Sequence, residues 1–103
     1  MRYQLVLRWP IESPTGDYDQ VIQTEDLLRE ELMGGSEVDG HDLGSGEMNI
    51  FLLTDDPTAT FEAVRRILER GPAWATVRIA YRVAQGGRYT ILWPEDLTEF
   101  RVA

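Results

Sequence analysis

The sequence predicts a small α+β domain in which an antiparallel sheet carries two helices on one face. The chain has 103 residues, 43% of them apolar, which suits a single compact domain with one two-layer core. Segments with the two-residue periodicity of strands are interspersed with two segments that have the periodicity of helices. Cysteine is absent, so packing rather than disulfides or thiolate-bound zinc must hold the fold. We therefore treat residues 1–103 as one domain.

Residues 2–9 form the first predicted strand, because apolar and polar positions alternate along them. Its apolar side consists of Tyr3, Leu5, Leu7 and Trp9. The first helix is predicted from about Tyr18 to Met33, where apolar residues fall on one stripe and glycines follow. The acidic residues expected on its solvent side are Glu25, Asp26, Glu30 and Glu31.

Residues 36–43 and 47–54 are predicted to form a β-hairpin. We expect a three-residue turn, Gly44-Ser45-Gly46, because it keeps the apolar residues on one side of the hairpin, whereas a two-residue turn would scatter them over both faces. This turn places His41 directly opposite Asn49.

The second half of the chain predicts one helix and two further strands. Asp55-Asp56-Pro57 is typical of a capped helix start, and apolar residues at helical spacing continue up to Gly71. Residues 76–83 alternate again, and a glycine turn separates them from a short strand at 89–93. The last residues, 95–103, are predicted to form either a short helix or a tail that packs or swaps.

The resulting order, β-α-β-β-α-β-β, is that of a ferredoxin-like sandwich with one extra C-terminal strand. Several short segments resemble those of small uncharacterised bacterial proteins with a ferredoxin-like α+β fold. These segments are Asp39-Gly40-His41-Asp42, Gly44-Ser45-Gly46-Glu47, Asn49-Ile50-Phe51, Thr54-Asp55-Asp56-Pro57 and Trp93-Pro94. The resemblance concerns the fold and implies no activity, because one fold hosts many functions.

The charge of the chain limits its partners. A formal net charge of −8 argues against nucleic acid and anionic membrane as partners, and leaves a basic protein partner open. Residues 1–56 hold thirteen acids against three arginines, whereas residues 57–103 hold five acids against seven arginines. Because no apolar run is long enough for a membrane span and the start lacks the apolar region of a signal peptide, we expect a cytoplasmic protein.

The hairpin and the first and fourth strands bring polar side chains to the sheet face turned away from the helices. We predict that this open face is the binding surface. Its predicted residues are Arg8, Asp39, His41, Glu47, Asn49, Phe51 and Arg78.

His41, the only histidine, is the candidate acid/base, with Asp39 and Glu47 as the other candidate catalytic residues. No metal site or cofactor is predicted, since one histidine without a second nitrogen or sulfur ligand is a poor metal site and Asp42 points to the other face. A purely structural interpretation stays open as well. In it, His41 and Asn49 form a cross-strand pair and Gly40 marks a β-bulge.

The leading hypothesis is a small acidic protein-binding or assembly module that uses the open sheet face to bind a protein partner or a second copy of itself, as a homodimer. One form of this hypothesis is an immunity-type inhibitor that occupies the basic site of a toxin or enzyme. The alternative is a small-molecule enzyme in which His41 is the acid/base and Arg8 or Arg78 holds an anion.

Overall fold

The computed structural model describes residues 2–11, 16–32, 36–44 and 46–102. It confirms a small α+β protein in which a five-stranded antiparallel sheet is combined with two helices. The elements are β1 (Tyr3–Pro10), α1 (Gly16–Glu31), β2 (Ser36–Gly44), β3 (Glu47–Thr54), α2 (Pro57–Leu68), a short 3₁₀ helix (Pro72–Ala75), β4 (Arg78–Val83) and β5 (Thr90–Trp93).

The strands lie side by side in the order β2-β3-β1-β4-β5, so β1 is the central strand and β2 is an edge strand. Leu5 of β1 lies between Leu52 of β3 and Tyr81 of β4. The predicted apolar side of β1 is confirmed, because Leu5, Leu7 and Trp9 belong to the main hydrophobic core. This core lies between the sheet and the helices, with α1 on β2 and β3, and α2 on β1.

Both helices form where their apolar stripes predict them. Asp56 caps α2, since its Oδ1 accepts a hydrogen bond from the Ala59 amide at 3.1 Å, and Pro57 is the first helical residue. The helix α1 starts and ends two residues earlier than predicted, and the predicted glycine stop at 34–35 lies outside the described residues. No helix in the described part of the chain is long and apolar enough to cross a membrane.

The hairpin differs from its predicted register. Gly44 pairs with Glu47, so two residues rather than three separate the strands, and the prediction of a three-residue turn was wrong. His41 therefore lies opposite Ile50, and Asp42 takes the place opposite Asn49.

A β-bulge explains how a two-residue turn still keeps the apolar residues together. The register shifts between Val38 and Gly40, so Asp39 is an extra residue in β2, and Gly40 has a φ of 154°. Because one extra residue reverses the alternation of side chains, Val38 and Leu43 both face the helices despite their odd spacing.

The C-terminal segment covers the second face of the sheet. After β5 the chain turns, with the Leu97 amide donating to the Pro94 carbonyl at 3.1 Å, and residues 97–102 have no regular secondary structure. Phe100 packs on Val6 and Ala80, forming a second, smaller cluster on the face away from the helices. The packed tail, one of the two predicted alternatives, is thus observed. This part of the sheet face is therefore covered, whereas the sequence predicts an open face.

Candidate functional site

Arg8 lies at the centre of the sheet face that the tail covers. It is paired across the strands with Asn49 on β3 and with Arg78 on β4. Its guanidinium forms an ion pair with Glu47 and donates from Nη1 to the Arg101 carbonyl at 2.6 Å. Arg8 thus joins the sheet to the tail through a charge-assisted hydrogen bond, which is stronger than a neutral one.

Glu47 and Asn49 are buried under the tail side of the sheet, with exposed fractions of 4% and 1%. Asn49 Nδ2 donates to Glu47 Oε1 at 3.5 Å, while its Oδ1 has no hydrogen-bond partner among the residues that the structure describes. Phe51 is half-buried against the cluster around Phe100. Glu47, Asn49 and Phe51, three of the predicted binding residues, are therefore buried or half-buried rather than exposed.

Arg78 differs from these residues because it is exposed. Within the described ranges, no carboxylate lies at ion-pair distance from it. Arg8 and Arg78 both line two cavities. The larger, of about 460 Å³, also involves Leu97, Thr98, Glu99 and Arg101, and the smaller, of about 120 Å³, involves Trp9, Pro10, Gly46 and Glu47. Arg101 in turn forms an ion pair with Glu99.

His41 faces the helices, so the prediction that it lies on the opposite sheet face was wrong. Its Nδ1 is 2.9 Å from Oε2 of Glu25 on α1. Glu25 is buried, and its other oxygen lies 3.4 Å from Nη1 of Arg29. The expectation of Glu25 on the solvent side of α1 is therefore also corrected. The physical reason for the first correction is the one-residue change in hairpin register, which reverses the direction of the side chain.

The predicted catalytic group is not assembled, because His41 and Glu47 lie on opposite faces of the sheet and Asp39 is the exposed extra residue of the bulge. Among the described residues, Glu25 is a carboxylate that contacts His41. A sequence signal for its burial exists: Val21, Glu25 and Leu28 are spaced four and three residues apart, which places Glu25 on the buried stripe. In residues 2–11, 16–32, 36–44 and 46–102, no three His, Asp or Glu side chains group closely enough to hold a metal ion.

Carboxylates are concentrated where α1 packs against β2. We call the exposed acids of these two elements the acidic side of the molecule. They are Asp19, Asp26, Glu30, Glu37, Asp39 and Asp42. Arg2 balances part of this charge, with Nη1 at 3.3 Å from Glu37 and Nε at 3.8 Å from Asp55. The exposed acids of α1 and β2 therefore lie on the side of the fold that carries the edge strand β2.

Comparison with known proteins gives a likeness in fold and nothing more specific. No family model matches the chain. No curated protein matches it. Among solved structures, it is similar to the de novo designed protein Foldit4, with 16% sequence identity and a TM-score of 0.50 over 80% of this chain and 94% of the designed chain. At this identity the similarity concerns the fold alone, and the resemblance to small bacterial proteins stays a prediction.

Proposed function

We propose that this chain is a protein-binding module of ferredoxin-like fold, and that it binds a basic protein partner on its acidic side. The single observation that carries the proposal is the edge strand β2, whose exposed side chains include the carboxylates of Glu37, Asp39 and Asp42.

The strand order supports a ferredoxin-like fold. The helix α1 joins β1 to β2, and β3 lies between these two strands in the sheet. The helix α2 joins β3 to β4, and β1 lies between those two strands. Two such split βαβ units, interleaved in one antiparallel sheet, are the arrangement of ferredoxin-like domains. The strand β5 then extends the sheet beyond β4.

An edge strand supports binding because its outward backbone groups can pair with an extended segment of another protein. Carboxylates along β2 add charge complementarity to a basic segment, which increases both specificity and the rate of encounter. Two copies of this edge would repel each other, so we propose a basic partner at β2 rather than a second copy of the chain. An immunity-type inhibitor of a basic toxin or enzyme is one form of this proposal.

The binding surface proposed here differs from the open sheet face that the sequence predicts. Glu47 and Asn49 are buried, and the tail segment around Phe100 packs on the face to which they belong. The exposed charge instead follows β2 and α1, and the predicted site residue Asp39 contributes to it.

The proposal is tested by titrating the isotopically labelled protein with an extended peptide of alternating lysine and valine, followed by NMR at low and high salt. We expect the largest shifts in β2, slower exchange of β2 amides in the complex, and weaker binding at high salt. The triple variant Glu37→Gln, Asp39→Asn, Asp42→Asn should bind about tenfold more weakly, since each exposed ion pair contributes roughly 0.2–1 kcal/mol.

A matched control removes the same charge elsewhere. Glu62, Glu95 and Asp96 are exposed and lie outside α1 and β2, so their amide variant should keep the affinity of the original chain. If both triple variants lose affinity equally, or if the shifts concentrate away from β2, the partner is not bound at this edge.

A further inference from the structure

Arg8 and Arg78 lie directly opposite each other on the neighbouring strands β1 and β4. Like charges in facing positions of a sheet repel each other, so such a pair normally needs counter-charges. Arg8 has one in Glu47. Arg78 has none at ion-pair distance in the part of the chain that the structure describes.

The larger of the two cavities beside this pair lies between the sheet and the tail. We call it the arginine cavity, and its lining residues are Arg8, Arg78, Leu97, Thr98, Glu99 and Arg101. Its volume of about 460 Å³ falls within the range of small-molecule sites. Leu97 supplies apolar surface and Thr98 a hydroxyl group beside the guanidinium groups.

The charges of the arginine cavity indicate which ligand it suits. Glu47 offsets Arg8, and Glu99 offsets Arg101, so the positive charge of Arg78 remains. One carboxylate neutralises that charge, whereas a doubly charged phosphate would leave an excess of negative charge. The planar guanidinium of arginine also matches a carboxylate through two parallel hydrogen bonds.

We propose that the arginine cavity binds an organic acid through its carboxylate group, with Arg78 as the principal contact and the apolar part of the acid against Leu97. This site lies on the opposite face of the sheet from His41 and uses none of the residues of the acidic side. The proposal of carboxylate binding can therefore be tested independently of the proposed protein partner.

Benzoate is a suitable probe, because it combines one carboxylate with a small apolar ring. NMR titration of the full chain should show saturable shifts at Arg78, Leu97 and Thr98 with benzoate, and none with the uncharged benzamide. Inorganic phosphate should bind more weakly than benzoate. A peptide with a free C-terminus, compared with its amidated form, distinguishes a chain terminus from a small acid as the source of the carboxylate.

The variant Arg78→Gln should lower benzoate affinity about tenfold, the effect of losing a charged hydrogen-bond pair. We expect it to fold, since it removes a like-charge contact, and circular dichroism checks this. Arg66→Gln is the control, because Arg66 is an exposed arginine outside the cavity. Absence of benzoate shifts at the cavity, tighter binding of phosphate, or an equal loss in Arg66→Gln would overturn the proposal.

Discussion

Glu25 has only 5% of its side chain exposed, and both of its carboxylate oxygens contact positively charged or ionisable groups, Arg29 and His41. A buried carboxylate is costly unless it is paired and hydrogen-bonded. Because Arg29 belongs to α1 and His41 to β2, this contact also fixes the edge strand to the helix. The structural role of His41 therefore differs from the predicted cross-strand pair with Asn49.

We expect Glu25→Ala to lower the free energy of unfolding by about 2 kcal/mol, because it removes a buried carboxylate that contacts both His41 and Arg29. Urea denaturation measures this change. Glu30→Ala, on the exposed side of the same helix, is the control and should change stability by less than about 0.5 kcal/mol. Equal effects in the two variants would contradict a special role for Glu25.

The partial burial of the Tyr89 ring makes the stability of the folded state depend on pH. Burial raises the pKa of Tyr89 above its ordinary value of 10.0, and the nearby Arg82 acts in the opposite direction, with Cζ 4.8 Å from the ring centre. The folded state thus keeps the phenol proton at a pH where the unfolded chain has lost it. Stability from this group is therefore fully present below about pH 10 and is lost as the pH rises through the folded pKa.

A spectrophotometric titration of phenolate absorbance checks this pH dependence. The difference between the titration curves of the original chain and Tyr89→Phe should be centred above pH 10, and Arg82→Gln should move it higher, since it removes a positive charge that stabilises phenolate. A difference curve centred at or below the ordinary tyrosine value would show that the ring is better hydrated than the structure indicates.

At the scale of elements, the hairpin of β2 and β3 depends on two backbone features that act together. The two-residue turn contains Gly46 with a φ of 79°, and the bulge at Asp39 restores the alternation that this short turn would otherwise reverse. The turn sets the register in which His41 faces α1, and the bulge allows Val38 to face the same side.

Replacing Gly46 with alanine should destabilise the protein by about 1 kcal/mol, because the left-handed backbone conformation is less favourable by about this much for a residue with a Cβ atom. Gly44 is the matched control: it is a strand residue, and a Cβ atom at either glycine meets nothing within 4 Å. Gly44→Ala should leave stability unchanged or raise it, as alanine is preferred over glycine within a strand. Thermal or urea unfolding measures the stability of both variants. An equal loss of stability in Gly44→Ala and Gly46→Ala would contradict this prediction.

At the scale of the whole molecule, the sheet is covered on both faces, by two helices on one and by the C-terminal tail on the other. The two sides of the molecule also differ in charge, because α1 and β2 come from the acidic half of the chain. The two proposed sites follow this division, with a basic partner at the edge strand β2 and a carboxylate beside Arg78.

We expect Phe100→Ala to destabilise the protein by about 3 kcal/mol, the usual cost of removing a buried phenylalanine side chain. Hydrogen exchange should become faster at Val6 and Ala80, which Phe100 covers. Thr98→Ala serves as control, since Thr98 is exposed in the same segment. Unchanged exchange at Val6 in Phe100→Ala would mean that the tail does not protect this face.

Local patterns determined much of this fold. The alternation of Leu5, Leu7 and Trp9 predicts the buried side of β1, and the Asp56-Pro57 pair predicts the start of α2, because strand periodicity and helix capping depend on neighbouring residues only. The α+β class follows from the order of such segments. The acidic character of one half of the chain is likewise a property of the sequence itself.

Contacts between distant residues decided the site. The side on which His41 lies depends on a one-residue offset in the turn. With the bulge between Val38 and Gly40, the shorter turn also keeps the apolar residues on one side. The packing of Phe100 on Val6 and the hydrogen bond from Arg8 to the Arg101 carbonyl join residues more than ninety positions apart. The sequence alone thus determined the elements and the charge, whereas the tertiary structure decided which side chains meet, because register and docking minimise the energy of the whole chain rather than of any local segment.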